Sequence, residues 1–182
     1  MPSSEVEKAV KFLQQGGVVA HATEGVWGLA CDPWNETAVN RILTIKKRSN
    51  DLGFIVIGTD SSSFQEELDA VDPEIRRKVV SSWPGHVTWI LPSNRFPDWV
   101  TGKRTSVAAR VPDHKQARKL AMRFGKPVIS TSANISGSEP ALTMEEVCQQ
   151  FGEFVDFVLP GEIGTAVGPS RIRNAVDDFT VR

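Results

Sequence analysis

Apolar residues recur along the chain at two different spacings, which predicts alternating helices and strands. Val6, Val10 and Leu13 follow a Ser4-x-x-Glu7 capping box at helical spacing, and Gly16-Gly17 ends this first helix. A short apolar run over residues 18–22 then has the character of a strand. This strand delivers Thr23 to a turn-prone segment that reaches residue 28.

The same two patterns continue to the end of the sequence. Helices are predicted to begin after the capping residues Asn35, Asp72, Asp113 and Thr143, and Gly125 is expected to end the third of these. Strands are predicted over 54–57, 87–91, 106–111 and 127–129, with short strands after 155. Because several connections are short, we expect one α/β domain over residues 1–182, with helices flanking a mixed sheet.

Composition limits the class of protein. The chain has 182 residues, 40% of them hydrophobic and 24% charged, as in soluble globular proteins. It has no apolar run of about 18 residues and no secretory leader pattern, so a cytoplasmic location is expected. Cys31 and Cys148 are too far apart for a CxxC pair and are predicted to be free thiols.

Positive charge is concentrated in the middle of the chain. Residues 76–126 hold twelve Lys or Arg against Asp98 and Asp113, a local charge of +10, although the whole chain carries −1. Such a segment suggests a face or cleft for phosphate-bearing molecules, or else side chains solvated separately on helix surfaces.

Three polar segments follow predicted strands: Thr23-Glu24, 110–112 and 130–134. Ligands of open α/β sheets tend to bind beyond strand ends, so these segments are candidates for one site. Hydroxyls and amides in 130–134 can bind a phosphate or carboxylate, or can satisfy their own turn. Arg110 lies in an apolar strand and needs an anion, for which a ligand carboxylate is favoured over surface solvation.

Lys46 and Arg48 lie near the predicted end of a helix. There they can complement the helix dipole or neutralise separate groups of a polyphosphate. The chain has no nucleophile elbow, no phosphate-binding P-loop and no metalloprotease motif, and its three histidines are not spaced as metal ligands. Any catalysis is therefore expected to depend on positioning and charge stabilisation.

Six segments in order resemble the YrdC/Sua5 family of threonylcarbamoyl-adenylate synthases, and the resemblance covers nearly the whole chain. They are 23–32, Lys46-Lys47-Arg48, 83–88, 109–114, 130–137 and Pro169-Ser170. The resemblance implies a twisted α/β domain with a basic concave cavity. It implies the reaction of L-threonine, bicarbonate or CO2 and ATP to threonylcarbamoyl-adenylate and pyrophosphate. This product serves N6-threonylcarbamoyladenosine formation at position 37 of tRNAs that read ANN codons.

The resemblance also implies roles for individual residues. Thr23, Arg110 and Ser130 would hold threonine, with Arg110 pairing its carboxylate. The ATP site would consist of Lys46, Arg48, Ser106, Ser132, Asn134 and Ser170. No covalent catalytic residue and no protein ligand for a metal is implied, and Mg2+ would enter bound to ATP.

Alternative functions remain at this point. The +10 segment could belong to a non-catalytic module that binds double-stranded RNA or tRNA, although it lacks interleaved aromatic residues. A carbamoyl-transfer maturation domain or a sugar-phosphate lyase could share the scaffold. For a synthase, weak RNA binding and downstream threonylcarbamoyl-transferase proteins are the expected partners, and no membrane is involved.

Overall fold

The computed structural model describes residues 4–177 and 179–181, and one mixed sheet of eight strands runs through this part of the chain. The strands are β1 Val19–Ala22, β2 Trp27–Cys31, β3 Ile55–Ile57, β4 Val87–Pro92, β5 Ser106–Arg110, β6 Val128–Ser132, β7 Phe157–Val158 and β8 Arg171–Asn174. The helices are α1 Glu5–Gln14, α2 Glu36–Lys46, α3 Gln65–Asp69, α4 Pro73–Ser81, α5 Asp98–Thr101, α6 Lys115–Phe124 and α7 Met144–Phe151.

The strands are arranged in the order β7-β1-β2-β6-β3-β5-β4-β8. Three neighbouring pairs are parallel, β1/β7, β3/β5 and β4/β8, whereas β2 and β6 run antiparallel to their neighbours. The predicted mixed α/β sheet is therefore confirmed. Strands distant in sequence become neighbours, so β2 lies directly between β1 and β6.

Side-chain caps fix most helix starts where the sequence predicts them. Ser4 and Thr143 each form a capping box, with Glu7 and Glu146, and Asn35 and Asp72 accept hydrogen bonds from the first turns of their helices.

The predicted cap of α6 is wrong. His114, not Asp113, caps this helix by accepting a hydrogen bond from the Ala117 amide at 3.3 Å. The Asp113 carboxylate instead pairs with Arg118, and its amide donates to Glu24 at 2.6 Å. Gly125 ends the helix in the left-handed conformation, as predicted.

Strand β2 is absent from the predicted elements. Its sequence, Trp-Gly-Leu-Ala-Cys, has no β-branched residue and follows a turn-prone segment, so local propensity gives it little support. Pairing on both sides compensates, since Gly28 lies opposite His21 on β1 and Ser132 on β6.

The two faces of the sheet are covered differently. One face carries the larger hydrophobic core, including Leu29, Val56, Ala109 and Ile129. The opposite face is covered in part by α1 and α6, which pack on residues such as Val19, Ala30 and Val128. Alternation along the strands sends His21, Ser106, Arg110, Ser130 and Ser132 to this second face.

Both Cys31, which is buried, and Cys148, which is exposed, are free thiols, as predicted. Among the described residues, no helix has the length and apolarity needed to cross a membrane.

Candidate active site

A cavity of about 360 Å³ lies against the second face of the sheet, beside the part covered by α1 and α6. It extends across this face and is not confined to the region beyond the strand ends, where the sequence led us to expect it. Seven of the nine predicted site residues line it, namely Thr23, Arg48, Ser106, Arg110, Ser130, Ser132 and Ser170. Lys46 and Asn134 are not among the residues that line it.

Arg110 is the last residue of β5 and points its guanidinium into one end of the cavity. It forms an ion pair with Glu24, and both side chains are more than nine-tenths buried. Its Nε also donates to the Gly85 carbonyl at 3.1 Å. Glu24 thus supplies an anion for Arg110 within the protein, whereas the predicted pairing of Arg110 with a ligand carboxylate stays a prediction.

His86 completes the surroundings of Arg110. Its Nδ1 lies 3.1 Å from an Arg110 nitrogen, and because a guanidinium only donates, Nδ1 is the acceptor. Burial and the Arg110 charge lower the pKa of His86. A neutral His86 and the Glu24 carboxylate thus hold the guanidinium in one orientation.

Two hydroxyls lie at this same end of the cavity. Thr23 follows β1 and donates its hydroxyl proton to the Val26 carbonyl at 2.6 Å. Ser130 lies on β6, with its Oγ 3.1 Å from Nε2 of His21 on β1. The structure therefore brings together Thr23, Arg110 and Ser130, which the family resemblance implies for threonine.

Lys46 does not reach the cavity wall. Its ammonium donates to the Ser132 carbonyl at 2.5 Å and to the Asn134 carbonyl and side-chain oxygen, each at 2.9 Å. Burial, followed by repulsion from Arg48, lowers its pKa to about 8. Three acceptors therefore occupy the three N–H groups, and Lys46 holds the 132–134 segment in shape.

Arg48 lies just after α2 and also lines the cavity. Its guanidinium donates to the Gly53 carbonyl at 2.6 Å and lies 5.1 Å from the centre of the Phe54 ring. Arg104 also lines this region. Phe54 and Val100 line the cavity beside Arg48, so this part combines positive charge with an apolar surface suited to a flat ring.

Most of the basic segment 76–126 lies elsewhere. Of its twelve cations, Arg104 and Arg110 alone are among the described residues that line the cavity. Others form ion pairs with acidic side chains, such as Arg95 with Glu67, Arg118 with Asp113 and Lys126 with Asp32. Two cations of the segment thus line the cavity and these three are paired elsewhere, whereas phosphate binding by the segment stays a prediction.

His86 and Arg104 were not predicted as site residues, and Glu24, although part of a candidate segment, was given no role. Glu24 follows Thr23 directly and Arg104 precedes β5 by two residues, so proximity to predicted site residues was an available signal. His86 approaches Arg110 from a turn 24 positions away, and local pattern gives no sign of this contact.

The chain is similar to known proteins over nearly its whole length. The Sua5/YciO/YrdC family model, described as "Telomere recombination", matches residues 11–181. A threonylcarbamoyl-AMP synthase of Vibrio vulnificus is 46% identical, with 98% of each chain covered.

Solved structures show the same fold. Pyrococcus abyssi (P. abyssi) Sua5 complexed with L-threonine is 30% identical with a TM-score of 0.85, over 96% of this chain and 52% of that one, so the chain spans about half of that Sua5. Escherichia coli (E. coli) YciO is 27% identical with a TM-score of 0.84, over 97% and 87% of the two chains. The cavity lining thus offers three arginines, the hydroxyls of Thr23 and Ser130, and apolar surface.

Proposed function

The chain belongs to the Sua5/YciO/YrdC family, and from this premise we propose that it makes threonylcarbamoyl-adenylate from L-threonine, bicarbonate or CO2, and ATP. It is an ATP-using enzyme of the nucleotidyltransferase type, as its relatives named threonylcarbamoyl-AMP synthase are. The sequence similarity to these enzymes extends over nearly the full length of the chain. It supports a synthase and not a non-catalytic RNA-binding module.

The observation that carries the proposal is the shared cavity. Thr23, Arg110 and Ser130 line it together with Arg48, Ser106, Ser132 and Ser170. Ser106 and Arg110 lie on one face of the same strand, four residues apart, which is about 13 Å in extended chain. That separation suits an amino acid beside the α-phosphate of a nucleotide.

In the proposed reaction, the threonine amine combines with CO2 to form a carbamate. A carbamate oxygen then attacks the α-phosphorus of ATP, a new P–O bond forms and the bond to pyrophosphate breaks. An anion therefore approaches a polyanion, and positive charge fixed in a partly dry site lowers the cost. Arg110 would bind the threonine carboxylate, and Arg48 and Arg104 would neutralise phosphate charge.

Lys46 and Asn134 act in this proposal through the loop they hold. With its ammonium bound by three oxygens, Lys46 fixes Ser132 and Asn134, and its charge still acts on phosphates nearby. A direct contact to phosphate would require one of these hydrogen bonds to exchange.

We also propose that Mg2+ enters with ATP as part of the substrate. The described residues contain no group of three or more Asp, Glu, His or Cys side chains that could hold a metal ion. This donor set does not suit a resident divalent cation, whereas Mg2+ commonly binds through nucleotide phosphates and water.

The product is a reactive mixed anhydride, so a downstream transferase must use it to modify adenosine 37 of tRNAs that read ANN codons. We propose such transferase proteins as partners, with weak tRNA binding by this chain. Dependence on ATP and tRNA makes the cytoplasm the proposed site of action.

Pyrophosphate release tests the proposal. Purified protein is given ATP and Mg2+ with threonine and bicarbonate, and each of these two is omitted in turn. We expect release only when both are present, with threonylcarbamoyl-adenylate as the co-product. Release without threonine, or no release under any condition, would overturn the proposed function.

A further inference from the structure

A buried histidine lies directly behind the proposed threonine site. His21 on β1 has no exposed surface and does not line the cavity. Its Nε2 reaches across β2 to the Ser130 hydroxyl on β6, at 3.1 Å. Gly28 lies between them, and a Cβ there would be 3.2 Å from the Ser130 Oγ and 3.3 Å from His21 Nε2. The glycine therefore leaves the space through which the hydrogen bond passes.

The partners of His21 determine where the protons lie. Nδ1 is 3.1 Å from the Ala22 carbonyl, which can only accept, so Nδ1 carries the ring proton. A neutral ring then has a lone pair at Nε2, and Ser130 must donate its single proton to it. Burial, repulsion from His114 and, to a smaller extent, from Arg110 lower the pKa of His21 to about 4, so the ring is neutral near pH 7.

We propose that His21 is a positioning residue that turns the Ser130 hydroxyl proton away from the cavity, so that Ser130 presents only acceptor lone pairs to the substrate. The Thr23 hydroxyl also has only acceptor lone pairs left for a ligand, because it donates its proton to the Val26 carbonyl at 2.6 Å. The threonine end thus combines a donor, Arg110, with two acceptors, Thr23 and Ser130.

This arrangement defines the class of ligand, and the inference rests on the proposed function. Arg110 binds the carboxylate, whereas the two acceptors need N–H or O–H donors on the same small molecule. An amino acid supplies N–H groups, and a β-hydroxyl supplies the second kind of donor. We expect the site to select a β-hydroxy amino acid over its isostere valine, which would leave an acceptor unpaired.

Histidine NMR tests the proton assignment without reference to activity. The chain has three histidines, so long-range 1H–15N spectra of 15N-histidine-labelled protein can be assigned with single variants. We expect His21 to be protonated at Nδ1 and unprotonated at Nε2 at pH 7, with the Nε2 resonance shifting in Ser130→Ala. An Nε2-protonated or doubly protonated His21 would overturn the proposal, even if the protein is an active synthase.

Kinetics test the consequence for the substrate. His21→Leu removes the acceptor, and we expect about a tenfold higher KM for threonine with little change in the KM for ATP. His21→Gln places an amide oxygen near the former Nε2 and should recover most of the loss. Selectivity for threonine over valine should fall in His21→Leu and return in His21→Gln.

A double-mutant cycle separates positioning from general damage to the fold. In a Ser130→Ala background, His21→Leu should raise the KM for threonine by less than about twofold, because its effect passes through Ser130. An equal increase in both backgrounds would show that His21 acts only as packing. If wild-type protein releases no threonine-dependent pyrophosphate, the proposed function fails instead, and the NMR result still stands.

Discussion

Arg110 and Glu24 form an ion pair inside the protein, with 7% and 8% of their side chains exposed. Each therefore compensates a charge that would otherwise be buried alone. Arg110 lines the cavity and is proposed to bind substrate, so the residue that recognises the ligand is also half of a structural pair.

We predict that Arg110→Ala abolishes threonine-dependent pyrophosphate release and also destabilises the fold. Removing one member of a buried pair leaves the other charge uncompensated, at a cost of about 3–5 kcal/mol in the free energy of unfolding. Urea unfolding measures this cost. The double variant Arg110→Met with Glu24→Gln should regain much of the stability but none of the activity. An Arg110→Ala protein with near wild-type kcat/KM for threonine would remove Arg110 from the site.

Arg48→Ala should weaken ATP binding selectively. Arg48 lines the cavity, and loss of one phosphate contact should raise the KM for ATP about tenfold. Arg48→Lys should restore little, because a lysine cannot reproduce the planar fork that also lies over Phe54. Lys119→Ala is the matched control, since it removes one positive charge from an exposed position on α6. Equal effects of Arg48→Ala and Lys119→Ala would indicate only a change in overall charge.

Lys46 should make ATP use sensitive to alkaline pH. Its pKa is lowered to about 8, so it loses charge and one N–H donor above that pH, well before an ordinary lysine. We expect the KM for ATP to rise between about pH 7.5 and 9 in the wild type. Lys46→Met should show a high KM at all pH values and a flat profile in this window. A rise of the same size in Lys46→Met would assign the titration to another group.

The buried His21 should make the protein less stable in acid. Its pKa is about 4 when folded against 6.5 when unfolded, so the unfolded state takes up the proton first as the pH falls. The stability is complete above pH 6.5 and is lost progressively towards pH 4, by about 3 kcal/mol for this group. Denaturant unfolding across this range should give a shallower pH dependence for His21→Gln. Parallel curves would show that His21 does not titrate as described.

Local signals predicted much of the fold. Capping boxes at Ser4 and Thr143 and the glycine stop at Gly125 are set by residues a few positions apart, so the sequence displays them directly. β2 was missed because its stability comes from pairing with β1 and β6, which a local pattern does not contain. The cap of α6 was misassigned because Asp113 is engaged by Arg118 and Glu24.

The candidate site, like the fold, was predictable only in part from the sequence. Motif segments identified Thr23, Arg110 and Ser130, and the fold brings them to one end of the cavity. Contacts over long sequence separations were not predictable, including Arg110 with Glu24 and Lys46 with the Asn134 carbonyl. The concentration of positive charge in residues 76–126 was also a poor guide to which residues line the cavity. Basic residues on different elements of this segment pair with different acidic side chains.

The last part of the described chain completes the cavity. Its wall includes Ser170, which precedes β8, Ile172 in β8, and Val181. Thr23 and Gly28, from much earlier in the chain, also line it. During translation the amino-terminal residues leave the ribosome long before these do. A nascent chain can therefore form β1 and β2 early, yet the wall of the cavity stays incomplete until the segment from Ser170 to Val181 has also left the ribosome.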